Sequence, residues 1–189
     1  MGRFLVGIIL GLIIAPFIVL GWFKWGNPPV AVADHPLPFE RQIVSVPLHA
    51  RIDREMVKNA PLQPDEATLV AGARIYRDEC AACHGVHGKP SDFAAHMFPR
   101  APQLWEPHRN GKVVGVSDDP PGETYWKVDN GIRLTGMPAF NKILSQIQMW
   151  QVSVLLANAD KPLPPAAIGI LEQSSQQPLA VPAPPAKTK

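Results

Sequence analysis

The chain of 189 residues contains only two cysteines, and they stand three positions apart as Cys80 and Cys83. A disulfide framework joining distant segments is therefore excluded. No second C-x-x-C and no spaced histidine pair accompanies them, so a four-ligand zinc site lacks its ligands. No run of Lys and Arg is interleaved with aromatics, which sets nucleic acid aside as a partner. Net charge is also scarce at +2, and it is unevenly divided. Residues 1–63 carry six basic and four acidic side chains, 64–160 nine and eleven, and 161–189 three and one. The central stretch is thus slightly acidic.

Proline, by contrast, is abundant, with 22 residues crowded mainly into the stretches 27–64 and 162–185. Regular structure is expected between them, at 64–160. A domain of that size, ~97 residues, has a limited apolar core and gains from a cofactor at its centre. The stretch 26–63 reads as a Pro-rich extended linker, with one apolar patch, Ile43 to Leu48, able to form an edge strand or lie against a partner. As a flexible coil it would span ~35 Å. Residues 161–189, rich in Pro, Ala, Gln and Ser, read as a disordered tail.

One long hydrophobic run is present: Phe4 to Phe23 is uncharged and bracketed by Arg3 and Lys24. At ~1.5 Å per residue it crosses a ~30 Å hydrocarbon layer. The competing reading is a cleaved signal peptide, since Ala31-Val32-Ala33 has the form of a cleavage site. The run exceeds the ~7 to 15 residue core of a signal peptide and the A-x-A lies well downstream, so residues 1–25 are expected to be an anchor with a single span. Trp22 and Trp25 suit an interfacial belt. Gly7 and Gly11, with Ala15, place small residues on one face where another transmembrane helix could approach, although glycine is common in such helices.

Cys80-Ala81-Ala82-Cys83-His84 is a C-x-x-C-H haem attachment sequence. Two thiols stand where they can add across the two vinyl groups of one haem, and the adjacent imidazole reaches the iron from the proximal side. A thioredoxin-like C-x-x-C expects a strand before it and a helix beginning at the first cysteine. Here a helical pattern precedes the motif, while Gly85 and Gly88 follow it. Pro64 at a first helical position, Asp65 and Glu66 in the first turn, and Leu69, Gly72, Ala73, Tyr76 and Cys80 on one stripe describe an amphipathic helix ending at the motif.

A low-spin electron carrier needs a second axial ligand. The choices are His35, His49, His87, His96 and His108 or Met56, Met97, Met137 and Met149. Met137 lies in a loop, Gly131-Ile132-Arg133-Leu134-Thr135-Gly136-Met137-Pro138, where Gly and Pro shape the backbone and the thioether can project. Met149 falls in a helix pattern and reads as core; Met56 falls in the linker. Met97, thirteen residues after His84, is the rival, and position alone favours Met137 over it. His87 and His108 read as surface loop residues.

Cys80 to Gly85, Trp126, Asn130-Gly131-Ile132, Gly136-Met137-Pro138-Ala139-Phe140 and Trp150 together resemble the class I c-type cytochromes over about residues 64–158. The resemblance implies an all-α fold: a small cytochrome c domain of three to five helices around one covalent haem c, here preceded by one transmembrane helix. It implies Met137 as distal iron ligand opposite His84. It also implies a Pro carbonyl, from Pro99 or Pro102, that accepts a hydrogen bond from the proximal histidine and strengthens the ligand field. His/Met ligation raises the reduction potential relative to two histidines, which suits a respiratory-type chain.

Ser145 with Gln148 makes a capping-box start for a last helix carrying Ile147, Trp150, Val154 and Leu155, which by resemblance crosses the first helix with Trp150 near Gly72 and Tyr76. A short helix from Gly122 to Asn130, stopped by Gly131, is expected between them. Trp126 either lines the haem pocket or fills core. Arg133 reads as a solvated loop cation, with a propionate partner as the alternative.

The function expected is electron transfer without substrate chemistry, between a redox protein donor and acceptor. The alternative is a permanent haem subunit of a membrane redox enzyme complex: a dehydrogenase, an oxidase or a quinol-oxidising assembly. Haem is attached outside the cytoplasm in bacteria, so the expected location is the inner membrane, with the haem domain in the periplasm.

Overall fold

A computed structural model describes residues 1–109 and 111–173. Among them there is no β-strand, only the isolated bridges Val86–Lys89 and Pro107–Val114. The chain divides into two compact units, Met1–Ser45 and the residues from Val46 on.

In the first unit, helix α1 (Gly2–Trp25) has no buried residue and a stretch with mean hydropathy 2.8. It is long and apolar enough to cross a membrane, a property that a signal sequence shares. Nothing lies within 4 Å of a Cβ placed at Gly7 or Gly11.

The linker is where structure and sequence reading differ. Residues 43–48 are neither an edge strand nor an extended tether but part of helix α2 (Glu40–Glu55). The helix tolerates Pro47, starts with Glu40 Oε2 accepting from Leu37 N–H at 2.8 Å, and closes with an Arg51–Glu55 pair one turn apart. Its last turn belongs to the second unit, where Ile52 is 1% exposed. The Trp126 indole N–H donates to Glu55 Oε2 at 2.9 Å, and the Arg51 guanidinium lies 5.8 Å from the Trp126 ring. A side chain at Gly122 would collide with the Val57 carbonyl. Residues 51–57 are thus docked on the helix that carries Trp126.

Helix α3 (Glu66–Ile75) begins two residues later than a first helical position at Pro64 would place it, because Asp65 serves as N-cap: its carboxylate accepts from Thr68 N–H at 2.8 Å. It buries Leu69, Gly72 and Ala73, continues as a π-helical turn (Tyr76–Cys80), then as the short α4 (Ala81–His84). Helix α5 (Pro121–Asn130) is the expected short helix and ends at Gly131, whose φ of +66° suits glycine. Helix α6 (Gln146–Leu156) carries the expected capping box, with Ser145 and Gln148 bonding reciprocally.

Helix α3 packs against α6, and α6 against α5. The crossing of α3 and α6 is close because Gly72 has no side chain: a Cβ there would meet the Gln151 backbone and Leu155. The Trp150 ring stacks on Tyr125 at 4.2 Å, joining α6 to α5. Met149 is buried, as core.

A second difference lies past residue 160. The stretch read as tail contains helix α7 (Pro165–Glu172), packed on α3 with Ala167 and Leu171 fully buried. Their four-residue spacing is a helical stripe that the surrounding prolines obscure. The rest of that stretch, 174–189, lies outside the described residues.

Candidate functional site

The two thiols and the imidazole come from one continuous piece of chain. The π turn inserts an extra residue per turn just before Cys80, as π segments often do at functional sites. Tyr76, fully buried, braces the turn: its hydroxyl donates to the Gly85 carbonyl at 2.8 Å and lies 3.2 Å from that of His84. Burial in turn pushes the Tyr76 phenol well above its ordinary range, so it stays a donor. The Trp105 ring meets Tyr76 edge-on at 5.5 Å. Cys80 and Cys83 are free and half-buried. Burial, with Glu79 and Cys83 adding negative charge nearby, pushes the Cys80 thiol up to about 12, leaving it uncharged.

His84 is oriented by the loop that follows it. Its Nδ1 lies 2.7 Å from the Pro102 carbonyl, which selects Pro102 over Pro99. A carbonyl accepts only, so Nδ1 holds the proton and Nε2 keeps its lone pair free for a metal. Burial lowers the His84 pKa, against the opposing pull of Pro102, so the imidazole is neutral at neutral pH.

That loop is stitched back to the motif. Leu104 N–H donates to the His84 carbonyl at 3.2 Å, Gln103 Nε2 to those of Cys83 (3.2 Å) and Ala101 (3.1 Å), and Ser91 Oγ to Ala82. Gln103 Oε1 accepts from Ser91 N–H at 2.6 Å. Sequence reasoning missed Gln103, Ser91 and the bracing role of Tyr76. A lone amide within the run Ala101 to Trp105 was the available signal.

The Met137 loop leaves α5 at Gly131. Ile132 N–H donates to the Met137 carbonyl (3.2 Å), Thr135 Oγ1 to that of Ile132 (2.7 Å), and Met137 N–H to Thr135 Oγ1 (3.1 Å). Phe140 N–H returns to the Val128 carbonyl at 2.9 Å. Met137 and Cys80, both half-buried, pack against the same apolar cluster. Met97, the rival, lies with its methyl group against Gly136, next to Met137. Trp126 is buried and engaged with Glu55, which fits the core reading. His87 is exposed, set edge-on to Trp105 at 5.9 Å and 3.8 Å from Glu172; His108 is also exposed.

The residues fit a covalent haem: two free thiols, a neutral imidazole of fixed tautomer, and a thioether on a separate loop against the same core.

Comparison with known proteins gives the domain its family. Residues 67–156 match the model described as Cytochrome C oxidase, cbb3-type, subunit III, so this stretch is a cytochrome c domain of that family, which implies a covalent haem c and haem-based electron transfer. No curated protein is significantly similar in sequence. Among solved structures, the chain is similar to one from the reducing HAO-like protein complex of Kuenenia stuttgartiensis, at 21% identity and a TM-score of 0.42, covering 75% of this chain. It spans 55% of the length of that solved chain.

Proposed function

We propose that this protein is a membrane-tethered electron carrier whose single haem c is attached through Cys80 and Cys83 and held on iron by His84 and Met137. The observation that carries the reading is the 2.7 Å contact from His84 Nδ1 to the Pro102 carbonyl, immediately after two free cysteines. It orients a neutral imidazole whose free nitrogen suits iron, and Met137 supplies a soft sixth ligand from another loop. Bound there, the haem would supply a reversible one-electron couple. The chain's own part is to keep both axial positions filled, exclude water and leave no site for substrate.

Helix α1 would anchor the chain as a single span in a bacterial inner membrane, with the haem domain in the periplasm and a redox protein donor and acceptor beside it. The family description, a subunit of a cbb3-type oxidase, favours a second reading: a permanent haem subunit of a terminal-oxidase-like or other membrane redox complex, with α1 packing on a transmembrane partner through Gly7 and Gly11.

The test uses the intact chain expressed with c-haem maturation machinery. Wild type is expected to show the weak near-infrared band of ferric iron bound to a thioether, and Met137→Ala to lose it. A wild-type spectrum without that band overturns the Met137 assignment. Purification in mild detergent separates the two readings: a carrier elutes alone, a subunit with stoichiometric membrane proteins.

A further inference from the structure

Gly136 precedes the ligand proposed above, and nothing in its backbone conformation calls for glycine: its φ lies outside the left-handed region. Its lack of a side chain has a steric explanation instead. A Cβ there would run into one atom within 4 Å, the terminal methyl of Met97. Glycine at 136 makes room for Met97.

The neighbourhood gives that contact its weight. The hydrogen bonds that shape residues 132–137 run within the loop itself, and its tip, Leu134, stands 80% exposed at a φ of +63°. Left to those bonds, the loop has a cheap route to opening. Met97 comes from the other side of the site. It ends the 3₁₀ turn Phe93–His96, its N–H bonded to the Ala94 carbonyl at 3.3 Å, in the loop that Ser91, Pro102, Gln103 and Leu104 fasten to the motif. A half-buried, unbranched thioether bridges the two loops, and methionine fills such irregular gaps well.

We propose that Met97 is the positioning residue for Met137: it does not ligate iron, but holds the distal loop shut against the segment that orients His84. This rests on the Met137 ligand assignment, so a test must separate the two.

The measurement is titration of the ferric, intact, haem-loaded protein with imidazole, which replaces a thioether ligand only when the loop opens. Met97→Ala is expected to keep the near-infrared thioether band before imidazole is added, yet bind imidazole about fivefold more tightly, ~1 kcal/mol at 1.4 kcal/mol per decade. Met97→Leu, which fills the space without sulfur, is expected to restore affinity to within about twofold of wild type. Gly136→Ala, which moves the flexible end of Met97 aside, is expected to tighten imidazole binding in the same direction as Met97→Ala but by less.

Unchanged imidazole affinity in Met97→Ala and Gly136→Ala overturns the positioning role and leaves Met137 as ligand. Loss of the band in both Met97→Ala and Met97→Leu, with its retention in Met137→Ala, makes Met97 the ligand and overturns both proposals. Should Met97→Ala fail to take up haem, Gly136→Ala decides: tighter imidazole binding supports the positioning role and unchanged binding overturns it.

Discussion

The two sides of the site are held in different ways. The His84 side is built into the framework: its helix crosses α6 at Gly72, Tyr76 braces the turn from inside the core, and Gln103, Leu104 and Pro102 bond back to the motif. The Met137 side is a loop closed mainly on itself, with Thr135 as its internal clip and Met97 leaning on it. The first arrangement makes His84 as stable as the fold. The second gives Met137, the ligand proposed above, a local stability of its own, below that of the whole domain. Edits on the first side should therefore unfold the protein, and edits on the second should free the ligand while the fold stands.

The largest effect is expected at the helix crossing. Gly72→Val would drive two methyl groups into the Gln151 backbone and Leu155, and backbone cannot be moved aside cheaply. A loss of about 3 kcal/mol in urea unfolding is expected, at the upper end of overpacking costs. A loss under about 1 kcal/mol would mean that α3 and α6 can separate without harm. Next comes Tyr76→Phe, which deletes one buried oxygen and leaves the Gly85 carbonyl without its donor. About 1 to 2 kcal/mol of stability should go, because an unsatisfied buried acceptor costs its desolvation. The same measurement on Thr135→Val should show a change within about 0.5 kcal/mol, since the lost bonds to Ile132 and Met137 are local to a surface loop. Its signature should appear elsewhere, as tighter imidazole binding by the ferric protein. Equal stability losses in Tyr76→Phe and Thr135→Val would erase the contrast between the two sides.

That asymmetry also governs what could be read from sequence. The motif was legible because covalent chemistry needs its residues at fixed spacing, and α3, α5 and α6 because stripes and caps are local signals: Leu69, Gly72 and Ala73 on one face, Gly131, and Ser145 with Gln148. The choice between Pro99 and Pro102 was not, since it depends on where a loop folds back in space, and neither was the fit of Met97 against Gly136. Composition misled at both ends. Prolines around α2 and α7 suggested extended chain, yet Ile52 in one and Ala167 and Leu171 in the other carry buried apolar contacts. Local breakers lose when a few apolar side chains find a core.

The smallest effect expected concerns the helix that leads into the Met137 loop. Trp126 on α5 donates to Glu55, and Asn130 Nδ2 at the end of α5 bonds the Trp126 carbonyl at 3.0 Å, so residues 51–57 back the distal side from outside. The indole donor, and then Arg51, hold the Glu55 carboxyl below its ordinary 4.5. A depressed folded-state pKa means that this contact contributes its full stabilisation above about pH 4.5 and loses it as pH falls through the lower folded value. The indole N–H resonance of Trp126 should therefore move upfield on acidification with a midpoint below 4.5, and Glu55→Gln should remove the titration. A midpoint at or above 4.5 would show that the ionised carboxylate gains nothing from Trp126, and that residues 51–57 hold α5 through the burial of Ile52 and the Val57–Gly122 approach alone.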